Sequence, residues 1–172
     1  MTKLMPDAPA PALSVDLVGG GKWTLAERKP ENFSMVIAYR GLHCPVCKAY
    51  LGGFNGLADA YAKAGVDVVA VSMNDAETAA KSKSEWGLSN VALGYGLYEA
   101  TARKWGLYLS RAVREGEPAL FNEPGLFLVR PDGRVFLTAT ANMPWGRPNL
   151  EDLLGKIAMA VERKMPARGT VA

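Results

Sequence analysis

Short apolar runs alternate along the chain with stretches of helical spacing. Ser34-Met-Val-Ile-Ala-Tyr39 is a continuous apolar run of strand length, and Val66 to Ser72 is a second. Runs of this kind predict strands covered on both faces, in a largely parallel sheet. Between them Val46, Tyr50, Phe54, Leu57 and Tyr61 fall at helical spacing. Gly52 and Gly53 lie inside that helix, each costing about 1 kcal/mol relative to alanine, and predict a bend or a close packing contact. Asp75 as cap and Gly87 as stop bound a helix from Ala76 to Trp86. A β-α-β-α unit results, followed by a shorter helix from Tyr98 to Trp105 that ends at Gly106.

The two ends carry different patterns. Pro6, Pro9 and Pro11 make the opening segment extended surface chain. It leads into a strand at Ser14 to Val18, a turn at Gly19-Gly-Gly21, and a return strand at Lys22 to Leu25, which together predict an N-terminal hairpin. Leu126 to Val129 and Val135 to Thr138 flank Pro131-Asp-Gly-Arg134 and predict an antiparallel hairpin. Asn149 caps a last helix, whose Leu150, Leu153, Leu154, Ile157 and Val161 share a face that should cover this hairpin. Trp86 and Trp105 each precede a glycine at a helix end and are expected to plug the core. No repeat or linker divides the sequence, so residues 1–172 are expected to form a single α/β domain.

Composition narrows the function. At 172 residues, 49% of them hydrophobic, the chain can bury a core without disulfide staples. Its 20 basic and 17 acidic residues are scattered, which argues against nucleic acid or an anionic membrane as partner. The Pro/Ala-rich start lacks the apolar core of a signal peptide, and no apolar run reaches membrane-spanning length, so a cytoplasmic location is expected. The two cysteines are too few and too local for a secreted disulfide framework.

Those cysteines are Cys44 and Cys47, in Cys44-Pro-Val-Cys47 at the turn from strand to helix. A thiol at a helix N-terminus meets unpaired amide donors and the positive end of the helix dipole, which favour thiolate. The spacing also allows a disulfide. Cys44, the outer sulfur, is the expected nucleophile, and Cys47 the resolving thiol. Pro45 fits an early helical position, where its missing N–H costs nothing. His43, the only histidine, raises the thiolate fraction if protonated and turned toward Cys44, or else points away. It is also the only other soft ligand, so no metal site is expected, and no cofactor. Trp145-Gly-Arg-Pro148 places an indole and a guanidinium on a loop that could line a substrate groove.

Ala8-Pro9 followed by Ser14 to Leu17, Gly21-Lys-Trp-Thr-Leu25, Tyr39-Arg-Gly-Leu-His-Cys-Pro-Val-Cys47, Val66 to Ser72 and Gly125-Leu-Phe-Leu-Val-Arg-Pro-Asp-Gly-Arg134 resemble, in that order, the alkyl hydroperoxide reductase/thiol-specific antioxidant family. Arg-Gly-x-x-Cys-Pro-x-Cys is similar to its peroxiredoxin-like branch. The resemblance implies a thioredoxin-like fold, a central mixed sheet flanked by helices with an N-terminal β-hairpin extension, and thiol-dependent reduction of peroxides or disulfides.

The sequence departs from the family in two places. Typical peroxiredoxins carry Pro-x-x-x-Thr-x-x-Cys; counting back from Cys47 meets Cys44 and Arg40, and from Cys44 meets Gly41 and Ile37. The family's arginine on a nearby strand is replaced by Pro124, where thioredoxin-like reductases keep a cis-proline facing the dithiol. The resemblance therefore implies a cis Glu123–Pro124 bond beside Cys44 and makes Pro124 a site residue, with Arg40 as an alternative source of positive charge. Three functions stay open: a thiol-disulfide oxidoreductase, a peroxidase working through sulfenic acid, and a redox-responsive binding module. A small thiol or a thioredoxin-type protein is the expected reductant, a disulfide or peroxide the substrate, and a homodimer is compatible with the chain.

Overall fold

The computed structural model describes residues 4–171. In it β1 (Ser14–Leu17) and β2 (Lys22–Thr24) form the N-terminal hairpin. There follow β3 (Phe33–Ala38), α1 (Pro45–Lys63), β4 (Val66–Val71), α2 (Ala76–Glu85), β5 (Leu93–Tyr95) and α3 (Glu99–Lys104). The chain then runs through β6 (Leu109–Arg111), β7 (Leu120–Asn122), β8 (Gly125–Val129), β9 (Val135–Thr140) and α4 (Leu150–Glu162). One seven-stranded sheet has the order β2-β1-β5-β4-β3-β8-β9, and β6 pairs with β7 apart from it. β3 is parallel to β4 and β4 to β5, while β8, β9 and the N-terminal hairpin are antiparallel.

The continuous apolar runs are central strands for the reason their composition suggests. Every residue of β3 is buried. Met35 and Ile37 face Leu51, Phe54 and Tyr61 of α1 with Leu150, Leu153 and Ile157 of α4. Val36 and Ala38 belong to the opposite face, with Val15, Trp23, Ala102, Trp105 and Phe127. At the β8–β9 turn Gly133 takes φ +79° and Asp132 Oδ1 accepts the Arg134 amide, as a tight hairpin requires.

Several expectations need correction. The buried stripe of α1 is Cys47, Leu51, Phe54 and Tyr61, with Val46 turned outward. Phe54 and Tyr61 are buried and Tyr50 and Leu57 pack half-buried against the same core, as their spacing predicts; at the first turn Cys47 takes the inward place and Val46 the outer one. Gly52 and Gly53 make neither a bend nor a close contact: α1 runs unbroken, and a Cβ at either would meet nothing within 4 Å. On α4, Ala160 is buried and Val161 exposed. Trp105 is buried, but Trp86 is only half-buried, edge-on to Tyr39 at 6.0 Å. The Glu123–Pro124 peptide is trans, since the described residues contain no cis bond. The chain passes from β7 to β8 without reversing: the Glu123 amide donates to Tyr108 O and Pro124 O accepts from Ala141. An extended link of this kind leaves the lower-energy trans isomer in place.

β5, β6 and β7 escaped the sequence pattern because each is three residues long. β5 exists through packing: a Cβ on Gly94 would come within 2.7 Å of Val15 Cγ2, so glycine is what lets β1 lie against it. We expect Gly94→Ala to destabilise the fold by about 1–3 kcal/mol through overpacking. Gly52→Ala, in open space on a helix, should stabilise it by about 0.5–1 kcal/mol. Urea midpoints of the two variants check both signs.

Candidate active site

The loop from Tyr39 to Cys44 is shaped before any sulfur chemistry begins. The Tyr39 amide continues the β3–β4 ladder to Val71 O. Gly41 takes φ +124°, and a Cβ there would lie 2.6 Å from Asn74 Oδ1, so only glycine fits. That same oxygen accepts the Leu42 amide at 2.9 Å. The buried Asn122 donates to Tyr39 O at 3.0 Å and accepts the Met73 amide at 3.1 Å. Two side-chain amides thus knit this loop to the ends of β4 and β7.

Cys44 is the N-cap of α1 and Pro45 its first helical residue. The Cys44 sulfur accepts the Cys47 amide at 3.3 Å, a cap made by sulfur in place of oxygen. The two sulfurs lie 2.7 Å apart, with the Cys47 thiol donating to Cys44. Cys47 Sγ accepts the Arg40 backbone N–H at 3.4 Å and Arg147 Nη2 at 2.9 Å. Both cysteines are unbonded and buried, Cys44 being 1% exposed and Cys47 fully enclosed. The expectation that Cys44 is the outer sulfur therefore holds only in its place on the helix, not in solvent access.

One proton is shared by this pair. The Cys47 thiol hydrogen bond pulls the Cys44 pKa down to about 6, helped by the Cys47 amide, Arg40 and Arg147 against the opposing effect of burial. Burial and the hydrogen bond to Cys44 push Cys47 far upward, and Arg147 only partly offsets them. Near neutral pH the site holds a single thiolate, centred on Cys44.

Arg40 packs over Phe121 with its guanidinium carbon 4.8 Å from the ring centroid, and faces Glu123 Oε2 at 3.0 Å and Glu117 Oε1 at 3.5 Å. His43 lies against the same Phe121 ring, 4.7 Å between centroids, and neither of its nitrogens has a hydrogen-bond partner. Burial, with Arg40 nearby, lowers its pKa below the ordinary histidine value. A neutral His43 cannot supply the positive charge expected of a protonated neighbour. Pro124 precedes Gly125, which pairs with Ala38, so it lies level with Tyr39 at the sheet end that carries the cysteine loop.

Nothing local in the sequence announces Arg147 as a sulfur ligand, because the contact spans 100 positions. Its guanidinium lies 4.9 Å from the Tyr50 ring centroid. Tyr50 Oη donates to Pro148 O and Tyr61 Oη to Leu150 O, so tyrosines read as packing also anchor the loop before α4. Beside this loop runs a groove of about 580 Å³ walled by Val46, Tyr50, Leu57, Pro144 and Trp145, with Arg147 also in its lining. Trp145 is 68% exposed at this groove. Among the described residues no three His, Cys, Asp or Glu side chains gather as a metal site, and no helix is long and apolar enough to cross a membrane.

The model of the AhpC/TSA family matches residues 6–137. No curated protein matches the chain. Among solved structures, the peroxidoxin BcpB from Mycobacterium tuberculosis is similar at a TM-score of 0.70 and 15% identity, over 95% of this chain and 99% of that one. A peroxiredoxin-like protein from Aquifex aeolicus gives 0.75 and 18% over 92% and 89% of the two chains. Reduced Prx3 from Vibrio vulnificus, in complex with hydrogen peroxide, gives 0.73 and 18% over 90% and 99%. These likenesses are of fold, and the fold is the thioredoxin-like one with its N-terminal hairpin joined to the main sheet at β5.

The thiol pair couples folding to pH with a definite sign. A folded pKa near 6 for Cys44, below about 8.5 when unfolded, contributes stability that is present above the unfolded value and lost as pH falls through 6. The raised Cys47 contributes below its unfolded value and loses that contribution as pH rises beyond it. The reduced protein should therefore gain stability from pH 6 to about 8.5 and lose it above. Urea unfolding in a non-thiol reductant should show this maximum, and Cys44→Ser should remove the rising limb.

Proposed function

The chain belongs to the AhpC/TSA family and is a thiol-dependent antioxidant oxidoreductase, and we propose that Cys44 reduces a peroxide while Cys47 resolves the oxidised sulfur. The observation that carries this reading is the Arg147 guanidinium on the sulfur pair, Nη2 to Cys47 Sγ at 2.9 Å, in a loop that also walls the groove. It supplies the positive charge that the sequence lacks at position 124. The trans peptide at Pro124 weighs in the same direction, since it removes the feature that favoured disulfide reduction.

The Cys44 thiolate attacks the terminal peroxide oxygen, and the O–O bond breaks. Cys44 becomes sulfenic acid, oxidised by two electrons, and the leaving alkoxide or hydroxide takes a proton from water. Arg147, on the Cys47 sulfur next to Cys44, is the cation this reading assigns to that negative charge. The Cys47 sulfur then attacks the Cys44 sulfur; the S–S bond forms, and hydroxide leaves as water with the Cys47 proton. The two sulfurs are already adjacent, so this step asks for no large movement. Two external thiols regenerate the dithiol and are oxidised to a disulfide.

A small thiol or a thioredoxin-type protein is the reductant this cycle calls for. We place the enzyme in the cytoplasm as a single domain that pairs as a homodimer, with Trp145 and the groove guiding organic substrates inward. Exchange with small disulfides is the second reading, favoured by a groove larger than hydrogen peroxide needs.

Stopped-flow tryptophan fluorescence separates the two. Reduced protein should be oxidised faster by hydrogen or organic peroxide than by a small disulfide, and the reverse order would support the second reading. Cys44→Ser should abolish peroxide consumption. Cys47→Ser should complete one turnover and accumulate a sulfenic acid trappable by a carbon nucleophile; trapping in Cys44→Ser instead would exchange the roles. Arg147→Met should slow oxidation on the order of 10²-fold.

A further inference from the structure

Glu123 is a buried carboxylate that the cycle above does not use. It is 4% exposed, on the residue that links β7 to Pro124. Its two oxygens face different partners: Oε1 accepts from Ser110 Oγ at 2.7 Å, and Oε2 lies 3.0 Å from Arg40 Nε. A carboxylate this buried is costly unless paired, and so is the guanidinium it faces, whose side chain is 15% exposed. The β6–β7 pairing that sets Ser110 opposite Phe121 brings Ser110, Phe121 and Glu123 together around Arg40.

We propose that Glu123 is a positioning residue for the sulfur pair, fixing from the β6–β7 hairpin the side chain of Arg40, whose own amide donates to Cys47 Sγ. The inference rests on the redox reading of the dithiol. It does not rest on which oxidant is the substrate.

Glu123 reaches the sulfur pair through Arg40: Oε2 faces the guanidinium at 3.0 Å, and the Arg40 amide donates to Cys47 Sγ at 3.4 Å. The neighbours that lower the Cys44 pKa are Cys47, Arg40 and Arg147, and of these Glu123 contacts Arg40. Other charged or titratable groups close around the site are Glu117 and His43 beside Arg40, with Tyr50 under Arg147 and Tyr39 at the end of β3. Glu117 is the weaker anchor: it stands 3.5 Å from Arg40 and spends its Oε2 on the Val113 and Arg114 amides. Without Glu123, Arg40 is left half-paired in a buried place, and the guanidinium relaxes toward Glu117 and solvent.

Thiolate ultraviolet absorbance and alkylation rate, each followed against pH, read the effect directly. Glu123→Gln should move the first thiol titration upward by about one pH unit, a tenfold weaker acid. Arg40→Met should move it at least as far, and adding Glu123→Gln to Arg40→Met should change nothing more. A titration that falls or stays put in Glu123→Gln would overturn the proposal, as would additive shifts in the double variant. If Glu123→Gln does not fold, Ser110→Ala loosens the same carboxylate and is read by the same rule: an upward shift supports the assignment and none overturns it. Peroxide consumption by the unaltered protein, measured in parallel, separates a failure of this assignment from a failure of the peroxidase reading.

Discussion

A sulfur anion enclosed by protein survives only if hydrogen-bond donors surround it, and that requirement organises this structure. The groups that reach the Cys44–Cys47 pair are all donors: the Cys47 and Arg40 amides, the Cys47 thiol and Arg147 Nη2. The helix N-terminus accounts for part of them and the shape of the loop for the rest. The Arg40 amide reaches Cys47 because Gly41 turns the chain through a conformation that side chains avoid, and Asn74 and Asn122 hold the turn from below.

Two arginines reach the sulfur pair, Arg40 through its amide and Arg147 through its guanidinium, and their side chains are held differently. Arg40 has carboxylates on both sides and an aromatic ring beneath it, all from the segment 117–123. Arg147 has the Tyr50 ring and the sulfur itself, while its Nε and Nη1 have no partner. The first arrangement is fixed independently of the thiolate. The second rests on the Cys47 sulfur.

That difference bears on what was legible in the sequence. The central strands, the two hairpins, the Asp75 and Asn149 caps and the dithiol at a strand-to-helix turn are local patterns, and each is present in the structure. Arg40 could be singled out because it lies beside the cysteines. Arg147, Glu117 and Glu123 reach the site through tertiary contacts that no spacing rule covers, and β5 to β7 are too short to leave a period. The α1 face is legible from Tyr50 to Tyr61 but not at the first turn, where the buried residue is Cys47 and not Val46. Pro124 was assigned a cis bond by analogy, although its neighbours ask only for an extended link.

The capping contact ties redox state to secondary structure. An anionic Cys44 sulfur is a strong acceptor for the Cys47 amide and a favourable charge at the start of a 19-residue helix. A disulfide sulfur is neutral and accepts weakly, so oxidation removes the charge from the cap of α1. Arg40 keeps Glu123 and Glu117 through this change, and Arg147 keeps its aromatic face. Arg147 lies on the loop that also walls the groove, and its sulfur partner is Cys47 Sγ. Tyr50 Oη and Tyr61 Oη tie the end of that loop and the start of α4 to α1 at Pro148 O and Leu150 O. The stretch before these ties carries Trp145 and Arg147, so one short segment contributes both to the groove wall and to the sulfur pair.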